Sequence, residues 1–262
     1  HLGTDHTELF CTSKEAMEII PKIPMLFDEP FGDSSLIPTH LVSGLAKKQV
    51  KVCLSADAGD EQFCGYDRYW HALKRINFVN KLKKVPLQTS IFNIYKSLPS
   101  SIFPEKYRTK YLRFKDVYSS KGDIFLYDIQ NKTTFSSELK SLGLDEIDNQ
   151  LGKFDFQKFN NTSLQNIMMM VDSKTYLPDD ILTKVDRATM GVSLEGREPL
   201  LDHKIFEFSA QLPLEYKLRE GKSKWILRKI LFKYIPRELI ERPKMGFGVP
   251  IIKWFKNELN PI

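Results

Sequence analysis

Two aspartates stand three residues apart in the stretch Leu54-Ser55-Ala56-Asp57-Ala58-Gly59-Asp60-Glu61. They follow directly on the run Val50 to Leu54, whose length and β-branched content predict a short buried strand. Ser55, Ala56, Ala58 and Gly59 are small enough to let backbone N–H groups come close to a ligand. Acids at the carboxyl end of a strand lie where open α/β sheets bind ligands. A carboxylate meets a phosphate only through a cation, and Mg²⁺ suits carboxylate and phosphate oxygens together. The alternative is a strand-to-helix turn whose acids cap a helix N-terminus. This stretch alone leaves both readings open.

Three further segments follow in order. The first is Leu177-Pro178-Asp179-Asp180-Ile181-Leu182-Thr183-Lys184-Val185-Asp186-Arg187-Ala188-Thr189-Met190. The second is Glu195-Gly196-Arg197-Glu198-Pro199-Leu200-Leu201-Asp202, and the third is Arg242-Pro243-Lys244-Met245-Gly246-Phe247-Gly248-Val249-Pro250. The four segments together closely resemble the synthetase domain of glutamine-dependent asparagine synthetases. That family's pattern reads roughly S-G-D-G-G-D-E-x-F-x-G-Y, L-P-D-D-x-L-x-K-x-D-R-x-x-M, E-x-R-x-P-x-L-D and R-x-K-x-G-F. The resemblance runs from Leu2-Gly3-Thr4-Asp5-His6 and Asp28–Ser35 to the last loop, and residues 76 to 160 carry little of it.

The resemblance implies an α/β fold: part of an ATP-pyrophosphatase-like parallel-sheet domain merging into a mostly helical C-terminal region. The expected division is residues 1–75 in the nucleotide domain, 76–160 in a variable helical region and 161–262 in the C-terminal part with its catalytic loop. The implied reaction joins aspartate and ammonia at the expense of ATP, through β-aspartyl-AMP, giving asparagine, AMP and pyrophosphate. ATP and Mg²⁺ are the implied cofactors. Asp60, which matches the second aspartate of the family turn, is the candidate magnesium ligand, and Lys244 is the candidate for stabilising the crowded phosphorus and the departing pyrophosphate. Asp57 is the acid that orients the intermediate or accepts a proton from ammonia. Ser55, Ala56 and Gly59 supply backbone around the nucleotide. Lys184 is the candidate for holding an aspartate carboxylate, and Tyr66 either bounds the substrate pocket or simply packs after its glycine turn. Ala56, Ala58 and Cys64 stand where the family usually has glycine, which puts nucleotide affinity and acceptor choice in question.

The family's S-G-G-x-D-S phosphate loop does not occur in this sequence, which begins at His1. The expectation is therefore a truncated synthetase domain, inactive alone, whose parent carries that loop and an N-terminal glutaminase domain. A homodimer is a further family-level expectation. Two other classes compete. One keeps adenylation but changes the acceptor to a sugar acid or to a substrate cyclised as in β-lactam synthetases. The other is a non-catalytic scaffold or binding protein that has lost its phosphate loop.

The elements that must position these residues are legible in outline. Leu9 to Cys11 reads as a short strand, and Ser13 to Ile20 as a helix with Ser13 as N-cap and Glu15 and Glu18 near its positive end. Pro21 and Pro24 break it. Ile37 to Lys48 reads as a crossover helix into the strand ending at Leu54, an order that argues for a parallel sheet. Helical patterns dominate from Tyr69. Lys74, Arg75, Lys81, Lys83 and Lys84 interleave with Ile76, Phe78, Val79 and Leu82, the signature of a solvated amphipathic face. Residues 179–192 form an amphipathic helix with Leu182, Val185, Ala188 and Val192 on one side and Asp180, Lys184 and Arg187 on a polar stripe. Glu195, Arg197 and Asp202 suit a loop held by charge-assisted hydrogen bonds. Trp225, Ile226, Ile230 and Leu231 read as helix core ended by Pro236. Lys222 and Lys224, ahead of that core, are either solvated or facing ATP.

At 262 residues the chain can bury a substantial core in one or two domains. Cys11, Cys53 and Cys64 have neither zinc-ligand spacing nor a disulfide framework, so a reducing, cytoplasmic setting is expected. No apolar run nears the roughly 20 residues of a membrane span, and no secretory signal occurs. Asn131-Lys132-Thr133 is then a chance sequon. The net charge of +6, with a pI near 9.0, suits anionic ligands. A nucleic-acid partner would rest on charge alone and is not expected.

Overall fold

The computed structural model describes residues 3–10, 12–84, 88–119, 122–131, 143–144, 151, 154–159, 161–241 and 249–256. The chain forms two compact units: residues 1–63 with 173–262, and residues 64–172.

In the first unit the opening helix is Ser13–Met17. Its cap is Thr12, not Ser13: the Glu15 amide donates to Thr12 Oγ1 at 3.3 Å, and the Thr12 amide donates to the Glu15 carboxylate at 3.0 Å. This reciprocal capping box moves the helix start one residue earlier than the serine suggests. Leu9 and Phe10 form no strand, and Phe10 is exposed. Pro21 and Pro24 each begin a short helical turn, Ile20–Lys22 and Ile23–Leu26, because a proline lacking its N–H fits the first turn of a helix.

Helix Leu36–Lys47 buries Leu36 and Ile37 against Ala16, Ile19, Phe27 and Trp254, the core of this unit. Phe27 and Phe31 stack at 4.6 Å beside it. The helix leads into strand β1, Val52–Leu54, as the crossover reading requires. The partner of β1 is a surprise. It pairs in parallel with β2, Glu195–Arg197, with Val52 opposite Glu195, Cys53 opposite Gly196 and Leu54 opposite Arg197. The segment expected to be a loop is therefore a strand. β1 is also less buried than its residues suggest, since Val52 and Leu54 lie on the exposed face and only Cys53, on the other side of the pleat, is half-buried.

The helix expected over 179–192 is split. Leu177–Leu182 is a π-helical turn, and the α-helix proper is Thr183–Met190. Leu177 and Ile181 from the π turn bury against Ala58, with Leu200 and Leu201 beside them. Helix Thr183–Met190 packs on helix Leu36–Lys47, where the buried His40 donates from Nδ1 to the Ala188 carbonyl at 3.1 Å. Helix Trp225–Leu231 follows the hairpin of β3, Leu218–Arg219, and β4, Lys222–Ser223. Its residues are not deep core, and Ile230 is exposed.

The second unit is helical, with Asp67–Leu82, Gln88–Ser97, Glu105–Ser119, Asp123–Asn131 and most of Leu164–Lys174. Beside apolar core residues such as Ile76, Leu126 and Met168 it buries a polar cluster. Buried Asp172 accepts from Arg68 at 2.5 Å and from the hydroxyls of Tyr69 and Tyr127 at 2.7 Å each. Burial pushes both phenols up, and the Asp172 charge adds to it. The Arg68 guanidinium lies 4.2 Å over the Tyr66 ring, within cation–π reach. On helix Asp67–Leu82 the residues Lys74, Arg75 and Lys81 are exposed while Tyr69, Ala72 and Ile76 are buried, which is the solvated amphipathic face.

Candidate active site at the carboxyl end of strand β1

The turn after β1 is anchored by the other strand: the Ser55 amide donates to the Arg197 carbonyl at 3.0 Å, extending the parallel pairing by one bond. The Ser55 hydroxyl then donates to Asp57 Oδ2 at 2.5 Å, and the Asp57 amide returns to Ser55 Oγ at 3.3 Å. This local exchange holds the Asp57 carboxylate at the mouth of the turn. Ala58 adopts a left-handed backbone with φ 70. A glycine would sit there freely, whereas alanine is strained by about 1 kcal/mol. Gly59 has a different reason. A Cβ at that position would lie 2.9 Å from Leu200 Cδ1, so a side chain there would have to push the end of Leu200 aside. Gln62 fixes the same neighbour by donating to the Leu200 carbonyl at 2.6 Å.

Asp60 lies in the first turn of that helix, and its Oδ2 is 3.0 Å from Lys224 Nζ. Lys224 has a left-handed backbone, φ 54, at the residue before helix Trp225–Leu231, and its amide donates to the Phe63 carbonyl at 3.0 Å. Lys224 is thus neither a solvated lysine nor a remote one. No local pattern in the sequence marks it, because its neighbours Lys222 and Lys229 look alike. Lys222 in fact pairs with Glu241 at 3.2 Å.

Glu198, just past β2, is a residue to which the sequence reading gave no role. Burial raises its pKa first, and the negative charges of Asp57 and Asp186 raise it further. Its side chain folds back over Gly196, where a Cβ would lie 3.3 Å from Oε1. The Cys53 thiol is pushed up by burial and by the Glu198 charge, which keeps it protonated.

Lys184 stands elsewhere in the same unit, with its ammonium 2.7 Å from Asp33 Oδ2. Burial alone would raise the Asp33 pKa, but the hydrogen bond from Lys184 and those from the Ser35 amide and hydroxyl outweigh it and hold the carboxyl below its usual range. Arg187 pairs with Asp28 at 2.7 Å. Lys184 and Arg187 of the polar stripe thus make separate links to the segment before helix Leu36–Lys47. Glu195 and Arg197 pair at 2.7 Å on the exposed face of β2, and Asp202 caps helix His203–Gln211 by accepting from the Lys204 amide at 2.9 Å. Tyr66 belongs to the second unit, under Arg68. Lys244 lies outside the described residues. Ala56 is exposed in the turn, between Ser55 and Asp57.

A parallel strand that empties into a tight acidic turn, with a lysine from a distant helix start closing on one of its acids, defines an α/β protein with a charge-handling site at a strand end. The chain belongs to the asparagine synthase family, whose model matches residues 1–262. Asparagine synthetase (glutamine-hydrolyzing) 1 of Bacillus subtilis is 33% identical over 268 residues, covering 99% of this chain and 40% of that protein. A putative asparagine synthetase (glutamine-hydrolyzing) of Mycobacterium tuberculosis is 31% identical over 262 residues, 97% of this chain and 38% of its own length. The human asparagine synthetase (glutamine-hydrolyzing) is 37% identical over 84 residues, 29% of this chain and 15% of its own. The chain therefore spans about two fifths of the first two relatives. No solved structure matches it. Among the described residues no helix is long and apolar enough to cross a membrane.

Proposed function

We propose that the polypeptide carrying this chain is an ATP-dependent ligase that makes asparagine from aspartate and ammonia, with glutamine as the ammonia source in a separate domain. The observation that carries the reading is the Asp60–Lys224 contact of 3.0 Å at the end of β1, in a chain of the asparagine synthase family. A carboxylate is a poor acyl donor because oxide is a poor leaving group, so it must be activated before an amine can take it. In this reading the aspartate β-carboxylate attacks the α-phosphorus of ATP, pyrophosphate departs, and ammonia then displaces AMP from β-aspartyl-AMP. The first step brings two anions together, and the site must offset their repulsion.

The residues fit such a task. Asp60 and Asp57 offer hard oxygen donors of the kind Mg²⁺ takes when phosphates and waters complete its shell. Among the described residues no group of three or more His, Cys, Asp or Glu could hold a metal ion. Asp60 is the residue to hold Mg²⁺, and the bound cation supplies charge neutralisation at the phosphates. Ser55, Ala56 and Gly59 present backbone to the nucleotide. Asp57, oriented by Ser55, accepts a proton from the attacking ammonia. Lys244 meets the charge developing on the phosphates. Lys184, already neutralised by Asp33, binds an acceptor carboxylate by exchanging that partner. The fold assigned to this work is the ATP-pyrophosphatase-like sheet, of which β1 and β2 form a part; the setting is the cytoplasm, and the assembly a homodimer.

The test is product identity. The full polypeptide is given Mg-ATP, aspartate and ammonium, and AMP, pyrophosphate and asparagine are followed together. Equal appearance of all three supports the reading. AMP formation that ignores aspartate, or none at all, overturns it in favour of another acceptor or of a binding role.

A further inference from the structure

Asp60 and Lys224 are joined across the whole sequence of the first unit, yet both ends of the contact are fixed by backbone. Asp60 is set in the first turn of helix Gly59–Gln62. Lys224 is set by its left-handed backbone and by the hydrogen bond from its amide to Phe63, a few residues beyond Asp60. The pair is partly withdrawn from water, with side-chain exposures of 29% and 24%. Gly59 leaves the turn without a side chain beside the ammonium, where a Cβ would lie 3.8 Å from Nζ.

An ammonium and a divalent cation compete for the same carboxylate oxygen. A lone cation would have to displace Lys224 and leave its ammonium unpaired in a partly buried place, which is costly. A cation that arrives with a polyphosphate removes this obstacle: it takes Asp60 while phosphate oxygens take the ammonium, so no charge is left without a partner. We infer that the Asp60–Lys224 pair is a counterion-exchange latch, which keeps free divalent cations off Asp60 and admits them only together with a polyphosphate. The inference rests on the reading of Asp60 as the metal-holding residue.

Mn²⁺ is the probe, with free Mn²⁺ followed by electron paramagnetic resonance in the full polypeptide without nucleotide. Lys224→Met is expected to tighten Mn²⁺ binding about twofold to fivefold, the scale set by a partly exposed ion pair. Lys224→Arg keeps the charge and stays near the unsubstituted protein. Lys222→Met removes an equal charge two residues away and changes nothing, which separates the latch from a general field effect. In an Asp60→Asn background Lys224→Met loses its effect. With a non-hydrolysable ATP analogue present the order reverses, and Lys224→Met binds the Mn²⁺–nucleotide more weakly. Unchanged Mn²⁺ affinity in a folded Lys224→Met overturns the latch; if Asp60→Asn still weakens Mn²⁺–nucleotide binding, the metal assignment survives that failure. If Asp60→Asn alters neither form of binding, latch and metal assignment fall together.

Discussion

The Ser55 amide donates to the Arg197 carbonyl at 3.0 Å, one bond beyond the last paired residues of β1 and β2. That bond sets where the strand stops and the turn begins. The turn follows from there: Ser55 donates to Asp57, Ala58 takes a left-handed backbone, and Asp60 meets Lys224.

Gly59 and Gly191 are both closely packed, but against different atoms. At Gly59 an added Cβ meets the end of the Leu200 side chain, which can swing aside. At Gly191 it meets Leu26 and His40 and also the Arg187 carbonyl at 3.1 Å, which belongs to the helix backbone. Gly59→Ala should therefore cost about 1 kcal/mol and be relieved by Leu200→Ala, whereas Gly191→Ala should cost about 2–3 kcal/mol with no such relief. Urea unfolding of the four variants decides it, and equal costs at the two glycines would contradict the packing argument.

Asp33 gives the first unit an acid-sensitive link. Its folded pKa lies below the unfolded value of about 3.9, so its contribution is present above that value and is lost as pH falls through the folded pKa. Asp33→Asn should flatten the stability profile between about pH 5 and pH 2. Lys184→Met should destabilise at pH 7 by about 1–3 kcal/mol, by leaving a half-buried carboxylate without its cation. Thermal melts across that range are the measurement, and a profile equally steep in Asp33→Asn would remove this residue as the cause.

The second unit should fail at the other end of the pH scale. Tyr69 and Tyr127 are raised above their ordinary value by burial and by Asp172. Their stabilisation is whole below the unfolded value of about 10 and is lost as pH climbs past it, because the unfolded phenols ionise and the folded ones resist. Each contributes a slope of about 1.4 kcal/mol per pH unit once the unfolded phenol is ionised. Tyr127→Phe should make alkaline unfolding shallower by one such contribution, followed by circular dichroism from pH 9 to 12. Identical slopes would show that Tyr127 titrates alike in the folded and unfolded states.

Lys244 is assigned to the transition state rather than to binding. Lys244→Ala in the full polypeptide should lower aspartate-dependent AMP and pyrophosphate release about 10²–10³-fold, while glutamine hydrolysis stays unchanged. Pyrophosphate release at the ordinary rate would take Lys244 out of the mechanism.

What the sequence alone determined is local or combinatorial. The small residues after Leu54 announced a turn, and the segment 37–48 ahead of the strand read as the crossover helix found at Leu36–Lys47. Four motifs in fixed order were enough to identify the family, because an ordered set is far more specific than any one member. Even local reading has limits: Ser13 and Thr12 are both good caps, and only the reach of Glu15 back to the Thr12 amide separates them.

Tertiary structure decided the pairings. Glu195-Gly196-Arg197 carries two charges and a glycine, a poor strand by propensity, and it becomes β2 because β1 offers a parallel edge at that register. Lys184 and Arg187 share a helix face that read as one polar stripe, yet each found a carboxylate in the segment before helix Leu36–Lys47. Lys224 resembles its neighbouring lysines until the hydrogen bond to Phe63 places its ammonium on Asp60. The physical reason is common to all three. Turns, caps and periodicity depend on a few adjacent residues, whereas the partner of a strand edge or of a charged side chain depends on where the rest of the chain has packed, and that information is not stored in any one stretch of sequence.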